Sequence, residues 1–250
     1  MKKLLLPIIL LPILFMGFAP VNWGLTHNNK ELTPGIPKGA GEMLAQHNGI
    51  YVGDTTKKEI YLTFDLGYEA GHTGEVLDVL KEHNIKAIFF LCGNYLKETE
   101  LVHRMMNEGH IIGNHTNHHR DLPTLDEAAI RRDIDDFTQK FNAQYGDAEL
   151  GGIAPTPMRH FRPGKGRFDE KTLRIANELN LKTVMWSIAI VDWARTPIPV
   201  RSAVDKVMSR IHPGAIVLFH IANGSMPTII RDLIPKIAEK GYTIGDATQL

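Results

Sequence analysis

The 250-residue sequence predicts an α/β fold built as a (β/α) barrel, deformed or incomplete. Three observations point there. Short β-branched and aromatic runs alternate with amphipathic stretches of about 10–20 residues, the pattern of strands and helices in parallel α/β proteins. About seven such strands can be counted, which suits a barrel, although periodicity alone leaves an open sheet standing as well. Titratable side chains close several of these runs, at the strand ends where α/β folds place their chemistry.

The N-terminus comes first. Met1-Lys-Lys3 is a short positive head, and Leu4 to Ala19 is almost wholly apolar, with small residues at Gly17 and Ala19. Residues 1–19 therefore read as an export signal. The rival is a retained anchor, with residues 4–21 giving membrane association at the short limit for crossing a bilayer. Either way the protein is expected outside the cytoplasm, at the cell wall or secreted. Residues 20–57, with Pro34-Gly-Ile-Pro37 and Lys38-Gly-Ala-Gly41, read as an irregular extension carrying a short helix near Glu42 to His47. Residues 58–250 read as one catalytic domain.

Glu59 to Asp65 is the first strand of that domain: Ile60, Leu62 and Phe64 alternate with Tyr61, Thr63 and Asp65. Its loop offers Tyr68 and Glu69. A helix capped by Thr73 and running to about His83 follows, then a strand Lys86 to Leu91, a helix Leu96 to Asn107 and a strand His110 to Gly113. Asp121 to Phe141 is the clearest long helix, with Thr124 and Glu127 as a capping box and Arg131, Arg132, Asp133, Asp135 and Asp136 facing water. Gln144 to Pro157 reads as a surface loop. The order continues with a strand at His160-Phe161, a helix Asp169 to Leu179, a strand Lys182 to Ile188 and a helix Arg201 to Ile211. Strand Ala215 to Phe219, helix Pro227 to Lys240 and strand Tyr242 to Ile244 complete the chain.

Composition excludes several classes. Lys plus Arg and Asp plus Glu both number 28, so no basic field announces a nucleic-acid partner. Cys92 is the single cysteine, which rules out an intrachain disulfide and a cysteine zinc site, and its strand-like surroundings read as core. No Gly-x-Gly-x-x-Gly or Walker A sequence follows the first strand.

Five segments carry chemistry. Asp65 ends the first strand. His115 and His119 are four apart; on a helical turn they would share one face and hold a cation, zinc or a similar divalent metal, with His118 pointing elsewhere. Arg162, stiffened by Pro163, is placed to pin a carboxylate such as Asp65; a turn with a surface arginine is the plain alternative. Gly164 and Gly166 around Lys165 match a phosphate loop poorly. Asp192 could buttress a charged partner, and Trp193 is either a wall for a sugar ring or part of the core. His220 ends the strand from Ala215 and could protonate a leaving amine, with Leu218 lining an apolar pocket.

Thr63-Phe-Asp65, His115-Thr-x-x-His119, Arg162-Pro163, Asp192-Trp193 and Leu218-x-His220, in this order, resemble the polysaccharide deacetylase family, the NodB-homology or family 4 carbohydrate esterases. The resemblance covers about Lys58 to Leu250. It implies a deformed (β/α) barrel and metal-dependent removal of N-acetyl groups from amino sugars. It implies Asp65 as general base, His115 and His119 as metal ligands joined by Asp65, Arg162 as the group that orients Asp65, and His220 as general acid. Two positions depart from the family pattern: Leu66 stands where a second aspartate binds the metal, and Ala189 stands where another acid is usual. Asp65, water or Glu69 could fill the gap left by Leu66.

Phe64-Asp-x-Gly-Tyr-Glu69, Gly109-His-Ile-Ile-Gly-Asn-His115, Trp186-Ser-x-Ala189 and Ile211-His-Pro-Gly214 are similar to the family's muramic-δ-lactam subgroup in spore-forming bacteria. That similarity implies de-N-acetylation of muramic acid in peptidoglycan after an amidase has removed the side peptide. The alternatives are a deacetylase of N-acetylglucosamine or chitin-type glycans, and a non-catalytic glycan-binding protein of the wall, for which Leu66 is the best argument.

Overall fold

In a computed structural model of the protein, residues 19–27, 30–146 and 158–250 are described. The expected leader lies outside them save for Ala19, as does most of the expected loop before Pro157. The centre is a sheet of seven parallel strands: β2 (Glu59–Leu66), β3 (Ile88–Leu91), β4 (Ile111–Asn114), β5 (His160–Phe161), β7 (Lys182–Thr183), β8 (Ile188–Ala189) and β9 (Ala215–His220). Their spatial order is β7-β5-β4-β3-β2-β9-β8. A short β10 (Thr243–Ile244) runs parallel to the start of β2, and β1 (Val21–Asn22) pairs antiparallel with β6 (Arg167–Phe168).

The sheet must curl. β7 and β8 lie at opposite edges, yet only Val184 to Ser187 separate them in the chain. Six strand spacings of a flat sheet would hold those edges roughly 29 Å apart. Five residues of extended chain reach roughly 18 Å. The expected single strand Lys182–Ile188 is therefore two strands on either side of an unclosed seam. Residues before β2 bridge it: Ile50 pairs with Val184 and Val52 with Ala215.

Seven helices are described: α1 (Ala40–Gln46), α2 (Thr73–Glu82), α3 (Thr99–Asn107), α4 (Glu127–Tyr145), α5 (Glu170–Glu178), α6 (Val200–Met208) and α7 (Met226–Glu239). Period-two alternation explains how β2 serves both faces. Ile60, Leu62, Phe64 and Leu66 join the core with Val76, Leu77 and Leu80 of α2. Tyr61 turns to the other face, beside Ile88, Phe90 and Ile216. Thr63 and Asp65 share Tyr61's parity, so Asp65 follows that inner face to the strand's C-terminal end.

Some boundaries differ from expectation for local reasons. Glu98, at φ −81 and ψ 59, breaks the expected second helix, so Gly93–Lys97 is a separate tight turn. Thr124 belongs to another such turn, Leu122–Thr124, and Asp126 caps α4 by accepting from the Ala129 N–H at 2.7 Å. Asp133 does not face water: it is buried and meets His118.

Candidate active site

The register of the sheet sets the site. Asp65 is paired with His220 of β9 across one strand spacing. Arg162 directly follows β5 and is fully buried. An isolated guanidinium there would be very costly, so its partners matter. Nη1 donates to Asp65 Oδ1 at 2.8 Å and to Thr63 Oγ1 at 3.0 Å. Nε donates to the Val184 carbonyl at 2.7 Å. The guanidinium also lies 4.1 Å from the Phe90 ring centre and 5.5 Å from that of Trp186. Burial alone would raise the Asp65 pKa; Arg162, with smaller help from His115 and His220, outweighs it and keeps Asp65 below the ordinary carboxylate range.

His115 follows β4 and is buried. Its Nδ1 lies 2.8 Å from the Arg162 carbonyl oxygen. A carbonyl only accepts, so Nδ1 carries the proton and Nε2 keeps its lone pair. Nε2 stands 3.5 Å from Asp65 Oδ2. Burial lowers the His115 pKa to about 4, so the ring is neutral. The His119 ring is 4.9 Å away, and burial lowers its pKa too. No helical turn brings these rings together. Thr116 at φ 68 and His119 at φ 54 turn the chain through two left-handed residues instead, and Thr116 Oγ1 accepts from the His119 N–H at 2.8 Å. His118 meets Asp133 and also lines the cleft that holds the other two rings.

On the other side of Asp65, Asp192 is fully buried and grips His220 twice. Its Oδ2 accepts from the His220 backbone N–H at 2.8 Å and its Oδ1 from Nδ1–H at 2.8 Å. Burial pushes the Asp192 carboxyl up, and these two bonds restrain the rise. Burial pulls His220 down, but the Asp192 hydrogen bond and charge override it, so its pKa rises. Trp193 is 58% exposed and its ring centre lies 6.0 Å from that of His220, which makes it a wall and not core. A cleft of about 900 Å³ gathers Asp65, Tyr68, His115, His119, Trp193, Leu218 and His220.

Glu69 is a correction. It does not line this cleft and has no oxygen to offer a metal. Its carboxylate accepts from the backbone N–H groups of Gly71 and His72 at 2.6 and 2.9 Å, and from the Tyr95 hydroxyl at 2.6 Å. Thr63 and Trp186, which buttress Arg162, were not singled out from sequence for that task. The parity of Thr63 with Asp65 was the available signal for one; nothing local signals the other.

The residues present fit a divalent ion, as an open site. Two neutral imidazoles beside a carboxylate oxygen are suitable donors. The expected set of His115, His119 and Asp65 is, however, not drawn into a three-ligand cluster. Among the described residues no group of three His, Cys, Asp or Glu forms one. Asp65 Oδ1 is already taken by Arg162, and Leu66 is buried in the helix-side core.

Comparison with known proteins places the chain in a family. Residues 52–184 match the polysaccharide deacetylase family. The chain is 35% identical over 226 residues to the peptidoglycan-N-acetylmuramic acid deacetylase PdaA of Bacillus subtilis, covering 90% of this chain and 83% of that one. The solved structure of PdaA, a family 4 carbohydrate esterase, matches with a TM-score of 0.81 at 34% identity, covering 92% and 96% of the two chains. A chitooligosaccharide deacetylase of Rhizobium leguminosarum bv. trifolii is 34% identical over 208 residues, 77% of this chain and 91% of that one. A CE4-family pseudoenzyme from Bacillus anthracis matches at 30% identity and a TM-score of 0.72, covering 81% and 68%. The match over residues 52–184, more than half of the sequence, the overall likeness to PdaA and the strand-end order of the site together show that this chain belongs to the polysaccharide deacetylase family.

Proposed function

We propose that this protein is an exported hydrolase that removes the N-acetyl group of muramic acid in peptidoglycan after an amidase has stripped the side peptide, on the way to the muramic-δ-lactam of spore cortex. One observation carries the reading: two oppositely tuned proton carriers, Arg162–Asp65 and Asp192–His220, face one cleft from adjacent strands. The similarity to PdaA supports muramic acid as the sugar.

Arg162 keeps Asp65 ionised and aimed, so Asp65 takes a proton from the attacking water. Oxygen adds to the acetyl carbon. The carbon–nitrogen bond then breaks as His220, charged by virtue of Asp192, gives its proton to the departing sugar amine, and acetate leaves. A divalent ion, zinc by its donor set, would be held by His115 and His119 with Asp65 adjacent and would polarise the acetyl carbonyl. Trp193 offers a flat face to the sugar ring, and Leu218 packs beneath the acetyl methyl.

The test is mass spectrometry of glycan after purified residues 20–250, with divalent metal, act on peptide-stripped peptidoglycan. Loss of one acetyl group from muramic acid is expected, and Asp65→Asn should lower the rate by ~10²–10⁴-fold. Loss of acetyl from N-acetylglucosamine instead would move the substrate to the chitin-type reading. A second reading, a wall glycan binder without activity, draws on Leu66 and on the similarity to the pseudoenzyme. It predicts glycan retention and no acetate with any metal.

A further inference from the structure

The turn that carries His115 and His119 is tied along one face of α4. Asn114 Nδ2 donates to the Ile134 carbonyl at 2.8 Å and to Thr138 Oγ1 at 3.1 Å, and its Oδ1 accepts from the Thr116 N–H at 2.8 Å. The Asn117 N–H donates to the Asp133 carbonyl at 2.9 Å, and Lys140 Nζ donates to Asn117 Oδ1 at 2.9 Å. On the other side Gly93 leaves no slack, since a Cβ there would overlap the Asn117 amide. The last tie runs from the Asp133 carboxylate to His118 Nδ1. It differs from the rest. Asp133 is only 2% exposed, and its Oδ2 has no hydrogen-bond partner. A buried carboxylate with one oxygen unanswered is costly. A neutral amide would hold His118 without that cost, so the charge itself calls for a role.

The site is short of negative charge. A dication at His115 and His119 would meet neutral rings and Asp65, whose charge is shared with Arg162. Leu66 brings none, and Glu69 is engaged at the start of α2. Two carboxylates are felt at His119, Asp65 and Asp133. Asp133 is felt also at Cys92, another residue lining the cleft. We infer that Asp133 is a positioning residue for the divalent ion: it fixes the turn that presents the two histidines, and it supplies from α4 the second negative charge that Leu66 cannot. This rests on the reading of His115 and His119 as metal holders. Carboxylates one layer behind metal-binding imidazoles commonly set ligand orientation and affinity. Here the acid missing from the strand end is replaced by one on a helix.

The test is zinc affinity, read by competition with a chromophoric chelator, together with the thermal midpoint of the metal-free protein. Wild type, Asp133→Asn and Asp136→Asn are compared; the last removes the same charge from the same helix, at a residue outside the ties described above. Asp133→Asn should bind zinc about 10–100-fold more weakly. Its midpoint should stay at or above that of wild type, because the bond to His118 survives and the unanswered charge is gone. Asp136→Asn should match wild type in both. Unchanged zinc affinity in Asp133→Asn overturns the inference, as does an equal loss in Asp136→Asn. A midpoint of Asp133→Asn well below wild type, or failure to fold, also overturns it, since Asp133 would then be a clasp and nothing more. Wild type that binds no zinc overturns it together with the metal reading. Zinc affinity that depends on Asp133 in a protein releasing no acetate would leave the inference standing and remove the catalytic reading.

Discussion

His220 holds its proton to higher pH than a free histidine because a buried carboxylate sits behind it, and this fixes the sign of a prediction. Asp192→Asn keeps the shape and removes the charge. The His220 pKa then falls, and a general acid that must be protonated is lost earlier as pH rises. The alkaline limb of acetate release should move to lower pH, with a lower maximal rate. A pH–rate profile with an unmoved limb would show that His220 is not the acid. Residues of this kind were readable from sequence: Asp65, Arg162 and His220 each end or follow a strand-like run, and their contacts follow from strand register. Glu69 was not, because its partner Tyr95 lies 26 residues on and its carboxylate is defined by a helix start that sequence places only approximately.

At the scale of elements, Glu69 does for α2 what a local cap would otherwise do. His72 makes no capping bond of its own side chain, and Glu69 accepts from the N–H groups of Gly71, His72 and Thr73 at the helix start and ties them to Tyr95. Glu69→Ala should cost ~1–3 kcal/mol, because buried donors lose their acceptor, and lower the thermal midpoint by roughly 3–10 °C. Lost activity with an unchanged midpoint by circular dichroism would return Glu69 to the substrate. Helices with a clear apolar face, such as α5, α6 and α7, were readable to within a few residues, since burial enforces their period. The strand expected over Lys182–Ile188 was not, because its apolar residues serve two sheet edges and no local signal marks the bend. The turn from His115 to His119 failed likewise: positive φ at Thr116 and His119 is imposed by packing and is invisible to propensity.

At the scale of the whole molecule the unclosed seam governs both shape and robustness. The segment before β2 laces it. Ile50 donates to the Thr183 carbonyl and accepts from the Met185 N–H, both at 2.8 Å, while Gly53 donates to the Gly214 carbonyl at 2.8 Å. Farther up the chain, Trp23 Nε1–H donates to the Trp186 carbonyl at 3.0 Å, behind the ring that covers Arg162. A sheet curled this tightly buries polar groups at its strand starts, among them His110 before β4 and His160 in β5. His110 Nδ1 accepts from the Ala87 N–H at 3.2 Å, while His110 Nε2 and His160 Nδ1 have no hydrogen-bond partner. Burial lowers the pKa of each to about 4. An unfolded histidine takes its proton near 6.5, so between about 4 and 6.5 the unfolded chain binds more protons than the folded one. Stability conferred by these neutral rings is therefore complete above 6.5 and drains as pH falls, at ~1 kcal/mol per pH unit for each. Urea midpoints should drop between pH 7 and pH 5, and His160→Gln should flatten that dependence. Equal midpoints at the two pH values would mean that acid reaches these rings without opening the sheet.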